Sequence, residues 1–329
     1  MIIADSPASP RDSCKLLKIN RKSGQTSHHR FYHLPDLLFK NDVLIFNDTK
    51  VFPARLIGLK PTAGRIEVLL LEQLPNKNWL AISSPLPKRG HVLKFANLLA
   101  EVISINSSSG EIEIKFNLFG KKLFNKINYL GKTPLPPYIH SQAGESTLRR
   151  QYQTIYARKT GSAAAPTAGL HFTNRLLTKL KKYGTTHEHI TLHVGLGTFQ
   201  NLRPENLKTG KLHLEHYFIN PITASRLNSY KHQGRRIIAV GTTTLRCLES
   251  AFSNGQIRAG ESSTDIFIRP GFKFNFVDGL ITNFHLPGSS LLMLVSAFVA
   301  KPSHITKAYQ EAVKNDYRFY SFGDACLIL

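Results

Sequence analysis

The feature that most constrains the fold is a change in hydrophobic period partway along the chain. Between residues 54 and 117, short runs with partial alternation of apolar and polar residues are separated by turns rich in Pro, Gly, Asn and Ser. Several short strands at this spacing predict a small antiparallel β-barrel. The strands are expected at Ala54–Lys60, Arg65–Leu74, Trp79–Ser83, His91–Phe95, Leu98–Asn106 and Glu111–Asn117, with a helix at Lys121–Leu130.

A second pattern begins after the proline-rich segment Thr133–Tyr138. We interpret this segment as a stiff extended linker, because proline fixes its own backbone and restricts the residue before it. Beyond it, helical segments alternate with apolar strands, as in an α/β domain with at least partly parallel strands. The expected helices are Asn174–Tyr183, Ser225–Gln233 and Leu245–Phe252, and the expected strands are Ile190–Val194 and Ile237–Val240.

We therefore predict the α/β class: a large mixed-sheet α/β domain with an inserted small antiparallel β-barrel domain. Residues 1–53 and 149–329 are expected to form the large domain, and residues 54–148 the inserted one. At 329 residues the chain is long enough for about two domains, each with its own core.

The two ends of the chain complete the large domain. Leu16–Asn20 and His28–Leu34 flank a turn and predict a hairpin, and Asp42–Phe46 is typical of a buried strand. Near the C-terminus, Phe272–Phe276 and Leu280–Phe284 predict extended segments. The next apolar run, Leu291–Val299, predicts a helix capped by one of two preceding serines, Ser289 or Ser290.

The charge of the chain points to a polyanionic partner. Lys and Arg number 43 against 21 Asp and Glu, which gives a formal net charge of +22. Nucleic acid is the commonest large polyanion, and the scattered basic pairs fit a folded basic face better than a disordered arm. The alternatives are a lysine-rich proteome and a protein that binds membrane surfaces.

Cysteine usage and the termini indicate the compartment. Three cysteines, Cys14, Cys247 and Cys326, are far apart in sequence, which favours neither a disulfide framework nor a thiolate metal site and fits a reducing cytosol. We expect no signal peptide at the N-terminus, and the longest apolar run, Leu291–Ala300, is shorter than the roughly 20 residues of a membrane span. A cytoplasmic protein without membrane association is expected, and a monomer.

Four segments share one design, in which a small-residue or glycine-rich corner carries polar groups beside an apolar run. Small residues let a ligand approach the backbone, and a helix that starts behind such a corner attracts anions. No Walker A motif or dinucleotide fingerprint occurs, which disfavours nucleoside-triphosphate and nicotinamide chemistry. The four corners are Gly161–Thr173, Thr191–Phe199, Ile237–Arg246 and Thr264–Val299.

A histidine lies near the end of a strand in three of these corners: His171, His193 and His285. If the three converge in one cleft, two chemistries compete. Three imidazoles can hold Zn²⁺ with an open position for water, or neutral imidazoles can serve as general acid and base. No HExxH motif supports the metal, and we assign none. The structural alternative is that His285 and the nearby Asn283 only satisfy loop backbone groups.

Seven long runs of the sequence are distinctive: Phe46–Leu56 (FNDTKVFPARL), Gln151–Ala157 (QYQTIYA), Ala164–Thr173 (AAPTAGLHFT), Thr191–Phe199 (TLHVGLGTF), Val240–Ser250 (VGTTTLRCLES), Thr264–Phe298 and Tyr317–Ile328. In this order they resemble the S-adenosylmethionine:tRNA ribosyltransferase-isomerase family of queuosine biosynthesis. One departure is Lys211–Phe218, KLHLEHYF, where the family usually has a KMHSEWY-like run. The chain also starts inside the family's usual LPxxLIAxxP segment.

The resemblance implies a reaction and an architecture. The ribosyl group of S-adenosylmethionine moves onto the aminomethyl group of a 7-deazaguanine at the wobble position of a tRNA with a GUN anticodon. It isomerises to give epoxyqueuosine-tRNA, and adenine and methionine are released. S-adenosylmethionine is thus a consumed ribosyl donor, and no separate cofactor is implied. The implied fold is a large α/β domain with an inserted β-barrel.

The reaction needs a base, an acid and binding groups for two substrates. We hypothesise that His171, His193 and His285 include the acid and the base, with Asp265 orienting one of them. A turn carboxylate with satisfied hydrogen bonds is the alternative for Asp265 and Asp324, and a surface ion pair is the alternative for Arg246. Substrate binding is assigned to Arg55, Thr167, Gly169, Thr242, Thr243, Thr244, Arg246, Asn283 and Asp324; the three threonines and Arg246 would hold the methionine carboxylate or an RNA phosphate.

Two other function classes remain open at this stage. A non-catalytic RNA-binding module would explain the charge equally well, but it would release no adenine from S-adenosylmethionine. A metal-dependent hydrolase would lose activity to a chelator. RNA binding alone separates none of these classes, because a basic face binds RNA in each of them.

Overall fold

The structure, a computed structural model, describes residues 2–107, 109–195, 202 and 204–329. The first half of the chain is mostly strands. They are β1 (Ile2–Ile3), β2 (Lys15–Ile19), β3 (Thr26–Arg30), β4 (Val43–Asn47), β5 (Thr49–Val51), β6 (Arg55–Leu59), β7 (Arg65–Gln73), β8 (Trp79–Ser84), β9 (Val92–Phe95), β10 (Leu98–Asn106) and β11 (Glu111–Phe116).

The second half mixes strands with most of the helices. Its strands are β12 (Lys159–Ser162), β13 (Thr186–Leu192), β14 (Lys211–Ile219), β15 (Ile237–Val240), β16 (Phe252–Ser253), β17 (Gln256–Ile257), β18 (Gly260–Ile266), β19 (Gly279–Asn283), β20 (Arg318–Phe319) and β21 (Ala325–Ile328). The α-helices of the described residues are α1 (Leu34–Leu37), α2 (Gly120–Leu130), α3 (Glu145–Gln151), α4 (Asn174–Tyr183), α5 (Pro204–Thr209), α6 (Pro221–His232), α7 (Thr242–Ala251), α8 (Ser290–Ala297) and α9 (Pro302–Lys314).

Two sheets organise the molecule. A nine-stranded sheet has the order β18-β14-β13-β4-β15-β19-β21-β2-β3 in the described part of the chain, and β13, β4, β15 and β19 run parallel. The strands β10-β11-β8-β7-β6-β9 close into an antiparallel barrel between residues 55 and 116. The predicted α/β class with an antiparallel barrel is therefore confirmed. The domain boundaries at 53/54 and 148/149 stay a prediction.

The central strands are buried on both faces, because helices pack on either side of the sheet. In β4, Val43 and Ile45 belong to a core shared with α7, α8 and α9. The alternate residues Leu44 and Phe46 belong to a second core, which includes apolar residues of α4. The two-residue period of a strand thus divides one apolar run between two layers.

The barrel has its own core, in which strand residues pack with Leu123 and Ile127 of α2. The chain enters the barrel near Pro53 and leaves it at Gly131, and these two points touch. A β-carbon on Gly131 would lie 2.0 Å from the carbonyl oxygen of Pro53. The next residues, Arg55 and Lys132, form an isolated antiparallel bridge.

Most predicted elements are confirmed to within a few residues, and two are wrong in part. The hairpin of β2 and β3 forms, but its second strand ends at Arg30 and residues 31–37 are helical. The segment Phe272–Phe276 is not a strand. Its rings pack as a cluster instead, with Phe274 against Phe298 at 4.8 Å between centroids. In the described part of the chain, no helix has the length and apolarity needed to cross a membrane.

Candidate active site

A cavity of about 300 Å³ lies at the carboxyl ends of the parallel strands; we call it the strand-end cavity. Val194 lies beyond the end of β13, Gly241 follows β15, and Asn283 ends β19, and all three line it. Ligands bind at this edge of open α/β sheets because the loops there converge. Leu212, Ile268 and Leu294 contribute apolar walls, as is usual for a small-molecule site.

The N-terminus of α7 forms one side of this cavity. Gly241 caps the helix with φ 96°, a conformation that favours glycine, and brings Thr242 and Thr243 to the cavity wall. Among the described residues, neither the Thr243 hydroxyl nor Nε of Arg246 has a hydrogen-bond partner, although both atoms are buried. Because the helix dipole also favours negative charge here, the arrangement is suited to bind an anion such as a carboxylate.

Arg246 is held in a buried ion pair with Glu215. The two residues are 5% and 3% exposed, and Nη2 of Arg246 contacts Oε2 of Glu215. Glu215 lies on β14 beside an irregularity in its pairing with β18, and such bulges re-aim side chains. The other oxygen, Oε1, is buried with no hydrogen-bond partner among the described residues. Because a buried carboxylate oxygen without a hydrogen-bond partner is costly, this pair is suited to receive a polar ligand.

His285 also lines the strand-end cavity. Its Nε2 lies 2.9 Å from the Thr282 hydroxyl, and its backbone N–H donates to the Tyr309 hydroxyl at 3.0 Å. Desolvation lowers the pKa of His285 to about 4. The imidazole is therefore neutral near pH 7 and can accept a proton, although the same effect makes it a weaker base.

Two tyrosines give the cavity an aromatic wall. The rings of Tyr138 and Tyr320 lie 4.1 Å apart, and the Tyr138 hydroxyl is 2.8 Å from that of Ser321. Tyr320 has φ 72°, which is uncommon for an aromatic residue and clusters at functional sites. The two rings are tilted by 41° to each other, and either face is suited to stack a nucleobase.

With this geometry in place, known proteins similar to the chain can be compared with it. The profile of the family described as "Queuosine biosynthesis protein" matches residues 1–328. S-adenosylmethionine:tRNA ribosyltransferase-isomerase from Carboxydothermus hydrogenoformans is 46% identical, over 100% of this chain and 96% of that protein. The chain belongs to this family. Its members are tRNA-modifying enzymes of queuosine biosynthesis, as the resemblance of the sequence runs implied.

Two further relatives agree. The enzyme of the same name from Desulfitobacterium hafniense is 47% identical, over 99% of this chain and 96% of that protein. The chain is also similar to an S-adenosylmethionine tRNA ribosyltransferase from Thermotoga maritima whose crystal structure is known, with 34% sequence identity. The two structures match with a TM-score of 0.55, over 100% of this chain and 96% of that one. The fold and the family are therefore supported by both sequence and structure.

The three histidines do not meet in one cleft, so that expectation for this family member is wrong. His171 is 4% exposed and does not line the strand-end cavity. Its Nδ1 lies 3.2 Å from the Cys14 sulfur and its Nε2 3.2 Å from Oδ1 of Asn283. Burial lowers the pKa of His171 to about 4. It therefore supports Asn283 from behind the cavity wall.

His193 lies in a different cavity, next to the barrel. Its Nδ1 is 2.8 Å from the Thr49 hydroxyl, and its ring packs on Gly161, where a β-carbon would lie 2.7 Å from it. Desolvation lowers the pKa of His193. The three histidines therefore do not line one cavity together. Leu196–Phe199, the rest of this corner, lie outside the described residues.

Two of the predicted carboxylates also lie away from the strand-end cavity. Asp265 pairs with Lys211 at 2.8 Å and is not among the described residues that line the strand-end cavity with His285. Asp324 is 2% exposed and accepts hydrogen bonds from the backbone N–H groups of Lys15 and Arg318 at 2.9 and 2.8 Å. The satisfied-carboxylate alternative is therefore correct for Asp324, and the orienting role of Asp265 is not supported by any contact.

The remaining predicted binding residues divide between wall and interior. Thr167, Thr242, Thr243, Arg246 and Asn283 line the cavity. The Asn283 amide donates to the carbonyl of Tyr320 at 2.8 Å, so this amide fixes the aromatic wall. Because its partner Glu215 is buried, Arg246 is not in a surface ion pair.

Three other predicted binding residues, Thr244, Gly169 and Arg55, do not line the strand-end cavity. The Thr244 hydroxyl donates to the carbonyl of Val240 at 2.8 Å inside α7. At Gly169 the packing leaves no room for a side chain, because a β-carbon there would lie 1.8 Å from the Tyr156 hydroxyl. Arg55 pairs with Glu67 at 2.9 Å in the barrel.

Sequence reasoning missed three residues of the wall: Tyr138, Tyr320 and Glu215. Tyr138 ends the proline-rich linker, and Tyr320 lies within a run already matched to the family. Glu215 is the acidic residue of KLHLEHYF, and it is shared with the family's KMHSEWY-like run. The signal in the sequence was an acidic residue inside a predicted run of strand residues. An acidic residue in a buried strand is seldom without a partner, so Glu215 could have been expected to pair with a basic residue.

Proposed function

We propose that the chain transfers the ribosyl group of S-adenosylmethionine to a tRNA and isomerises it. The acceptor is the aminomethyl group of a 7-deazaguanine at the wobble position of a GUN anticodon. The products are epoxyqueuosine-tRNA, adenine and methionine. S-adenosylmethionine is consumed as the donor, and neither a metal nor a separate cofactor takes part. The names of the relatives support this proposal, and the strand-end cavity supplies the groups that the donor needs.

The observation that carries the proposal is the unpartnered anion site at α7 beside an aromatic wall. The methionine carboxylate binds the Thr243 hydroxyl, Nε of Arg246 and the free N–H groups of the helix end. The adenine stacks against Tyr138 and Tyr320. The apolar residues of the cavity exclude water, which matters because an epoxide and its precursors are easily intercepted.

His285 takes the role of the proton acceptor. The carbon next to the sulfonium is acidified by the positive sulfur, and a neutral imidazole is in the correct state to remove its proton. The Thr282 hydroxyl orients the ring through Nε2. Of the three predicted histidines, His285 is the one that lines the strand-end cavity, so the catalytic assignment passes to it alone.

The direct test incubates the protein with S-adenosylmethionine and a tRNA that carries the aminomethyl-deazaguanine. We expect stoichiometric release of adenine and methionine, and digestion of the RNA should give epoxyqueuosine by nucleoside mass analysis. Binding of both substrates without release of adenine would overturn the proposal and leave an RNA-binding protein.

Two substitutions test the assigned groups. Thr243→Val removes a hydroxyl at nearly constant volume, and we expect KM for S-adenosylmethionine to rise roughly tenfold or more. Thr178→Val, the same change on the exposed face of α4, is the control. His285→Gln should lower kcat by about 100-fold or more, while His232→Gln at an exposed histidine leaves it unchanged. Equal kinetics for all four variants would remove both assignments.

A further inference from the structure

A second cavity of about 570 Å³ lies between the barrel and the large sheet; we call it the barrel-side cavity. Glu72 and Trp79 of the barrel line one side, and His193, Glu215 and His216 line the other. Nε2 of His216 and Oε2 of Glu72 lie 3.5 Å apart, so the two sides are in contact there. Its volume falls in the range of small-molecule sites, so it has room for a single base.

The two cavities share a wall. Val194, His213 and Glu215 line both of them. A transfer reaction between two substrates needs such an arrangement, because donor and acceptor must bind separately and bring their reacting atoms to one boundary. Glu215 is the carboxylate at that boundary, and its oxygen Oε1 has no hydrogen-bond partner among the described residues.

A second observation points to a polar ligand on the barrel side. Trp79 is 3% exposed and lines the cavity, yet its indole Nε1 has no hydrogen-bond partner among the described residues. A buried indole N–H usually has one. The lining of the cavity thus includes one unpartnered donor, the Trp79 N–H, and three carboxylates, Glu72, Glu111 and Glu215.

We infer that the barrel-side cavity binds the acceptor base of the RNA, with its aminomethyl group at Glu215. This inference rests on the function proposed above. A 7-deazaguanine offers a ring carbonyl for the Trp79 N–H, and ring N–H and amino groups for a carboxylate such as Glu72. Its aminomethyl group is a primary amine and carries a positive charge, as a lysine does, so the free oxygen of Glu215 attracts it.

Glu215 accepts a proton from this ammonium group, and the neutral amine that results is the nucleophile at the donor. An amine at Glu215 lies in the wall of the strand-end cavity, where S-adenosylmethionine binds in our proposal. The base must leave the stack of the anticodon loop to reach the cavity, as bases do in enzymes that modify them, and loop bases are readily splayed out. The barrel thereby supplies part of the acceptor site, and the large sheet supplies the donor site.

The experiment measures KM for a modified anticodon stem-loop at saturating S-adenosylmethionine, and separately the Kd of S-adenosylmethionine. We use Trp79→Phe, which keeps an aromatic ring but removes the indole N–H, and Glu215→Gln, which removes the charge. Glu72→Gln tests a half-buried position in case either buried variant unfolds. Glu101→Gln, on the exposed surface of the same barrel, is the matched control.

We expect KM for the stem-loop to rise roughly tenfold in Trp79→Phe and in Glu215→Gln. The Kd of S-adenosylmethionine should stay within twofold of wild type in Trp79→Phe, because Trp79 does not line the strand-end cavity. A stem-loop with a 7-methyl group in place of the aminomethyl group should bind wild type more weakly. Glu215→Gln should lose most of this preference, whereas Glu101→Gln keeps it.

Two results would overturn the inference. One is an unchanged KM for the stem-loop in both cavity variants while adenine release continues, which would leave the proposed function intact. The other is a loss of S-adenosylmethionine affinity in Glu215→Gln as large as the change in KM for RNA, which would assign Glu215 to the donor site. Absence of adenine release by the wild-type protein would instead refute the proposed function itself.

Discussion

At the residue scale, the histidines divide by what surrounds them. His171 and His285 both have a pKa lowered to about 4, and desolvation is the main cause for each. Of these two, His285 lines the strand-end cavity, whereas both ring nitrogens of His171 have protein partners. A perturbed pKa is therefore no sufficient sign of catalysis in this protein, since a buried structural histidine shows the same shift.

His171 should make the stability of the protein depend on pH. Folding lowers its pKa from 6.5 to about 4, so the unfolded chain takes up a proton at a higher pH than the folded one. The stabilisation is fully present above about pH 6.5 and is lost as the pH falls toward 4, by on the order of 3 kcal/mol. Urea denaturation of wild type and His171→Gln at several pH values measures this.

The variant should be less stable at pH 8, because it loses packing and two polar contacts. Its stability should also fall less steeply between pH 6.5 and 4 than that of wild type. His232→Gln, at an exposed histidine, should keep the wild-type slope. The same slope in all three proteins would show that His171 does not titrate as described.

At the scale of elements, the barrel was the most predictable part and its attachment the least. Strands β6 to β11 match the expected segments within two residues at each end, because alternating residues and turn signals are local features. Gly131 carries no such signal. Position 131 must be a glycine because a side chain there would collide with Pro53. Pro53 is 78 positions earlier in the chain and touches Gly131 only in the folded protein.

Gly131→Ala should loosen the attachment of the barrel. The new β-carbon would lie 2.0 Å from the Pro53 carbonyl oxygen, which is backbone and cannot simply turn aside. We expect a loss of about 1–3 kcal/mol or more, as for overpacked sites. Thermal denaturation measures it. Gly144→Ala is the control, since its β-carbon meets open space and φ is −64°. Equal stability of the two variants would contradict the tight contact.

At the scale of the whole molecule, the net charge of +22 is expected to dominate the affinity for RNA. A surface pocket of about 520 Å³ near the junction of barrel and large sheet concentrates this charge. Its lining includes Arg11, Lys50, Arg149 and Arg150, and no acidic residue from the described part of the chain. Arg11 donates to backbone carbonyls and Arg149 pairs with Glu145, whereas Lys50 and Arg150 are exposed.

Reversing the charge of Lys50 and Arg150 should weaken tRNA binding and its dependence on salt. If each contacts one phosphate, the double variant to Glu should lower affinity roughly tenfold or more and reduce the log–log salt slope by about 2. Filter binding between 50 and 200 mM salt measures both. Lys307→Glu with Lys314→Glu, exposed residues of α9, changes the net charge equally. Identical losses in the two pairs would mean that only the overall charge matters.

The sequence by itself determined the elements, the α/β class with its barrel, and the family. Periodicity and turn residues are local, and the long runs shared with relatives are read without coordinates. Only the tertiary structure decided which residues share a wall. It moved His171, Asp324 and Gly169 into the interior and brought Tyr138, Glu215 and Tyr320 to the cavity.

The physical reason is that a cavity is a property of side chains far apart in the chain. Nothing in the sequence around Glu215 records that Arg246 lies against it, or that its second oxygen lacks a partner. Burial and hydrogen bonding depend on the packing of several elements at once, so they are decided when the sheet, the helices and the barrel come together.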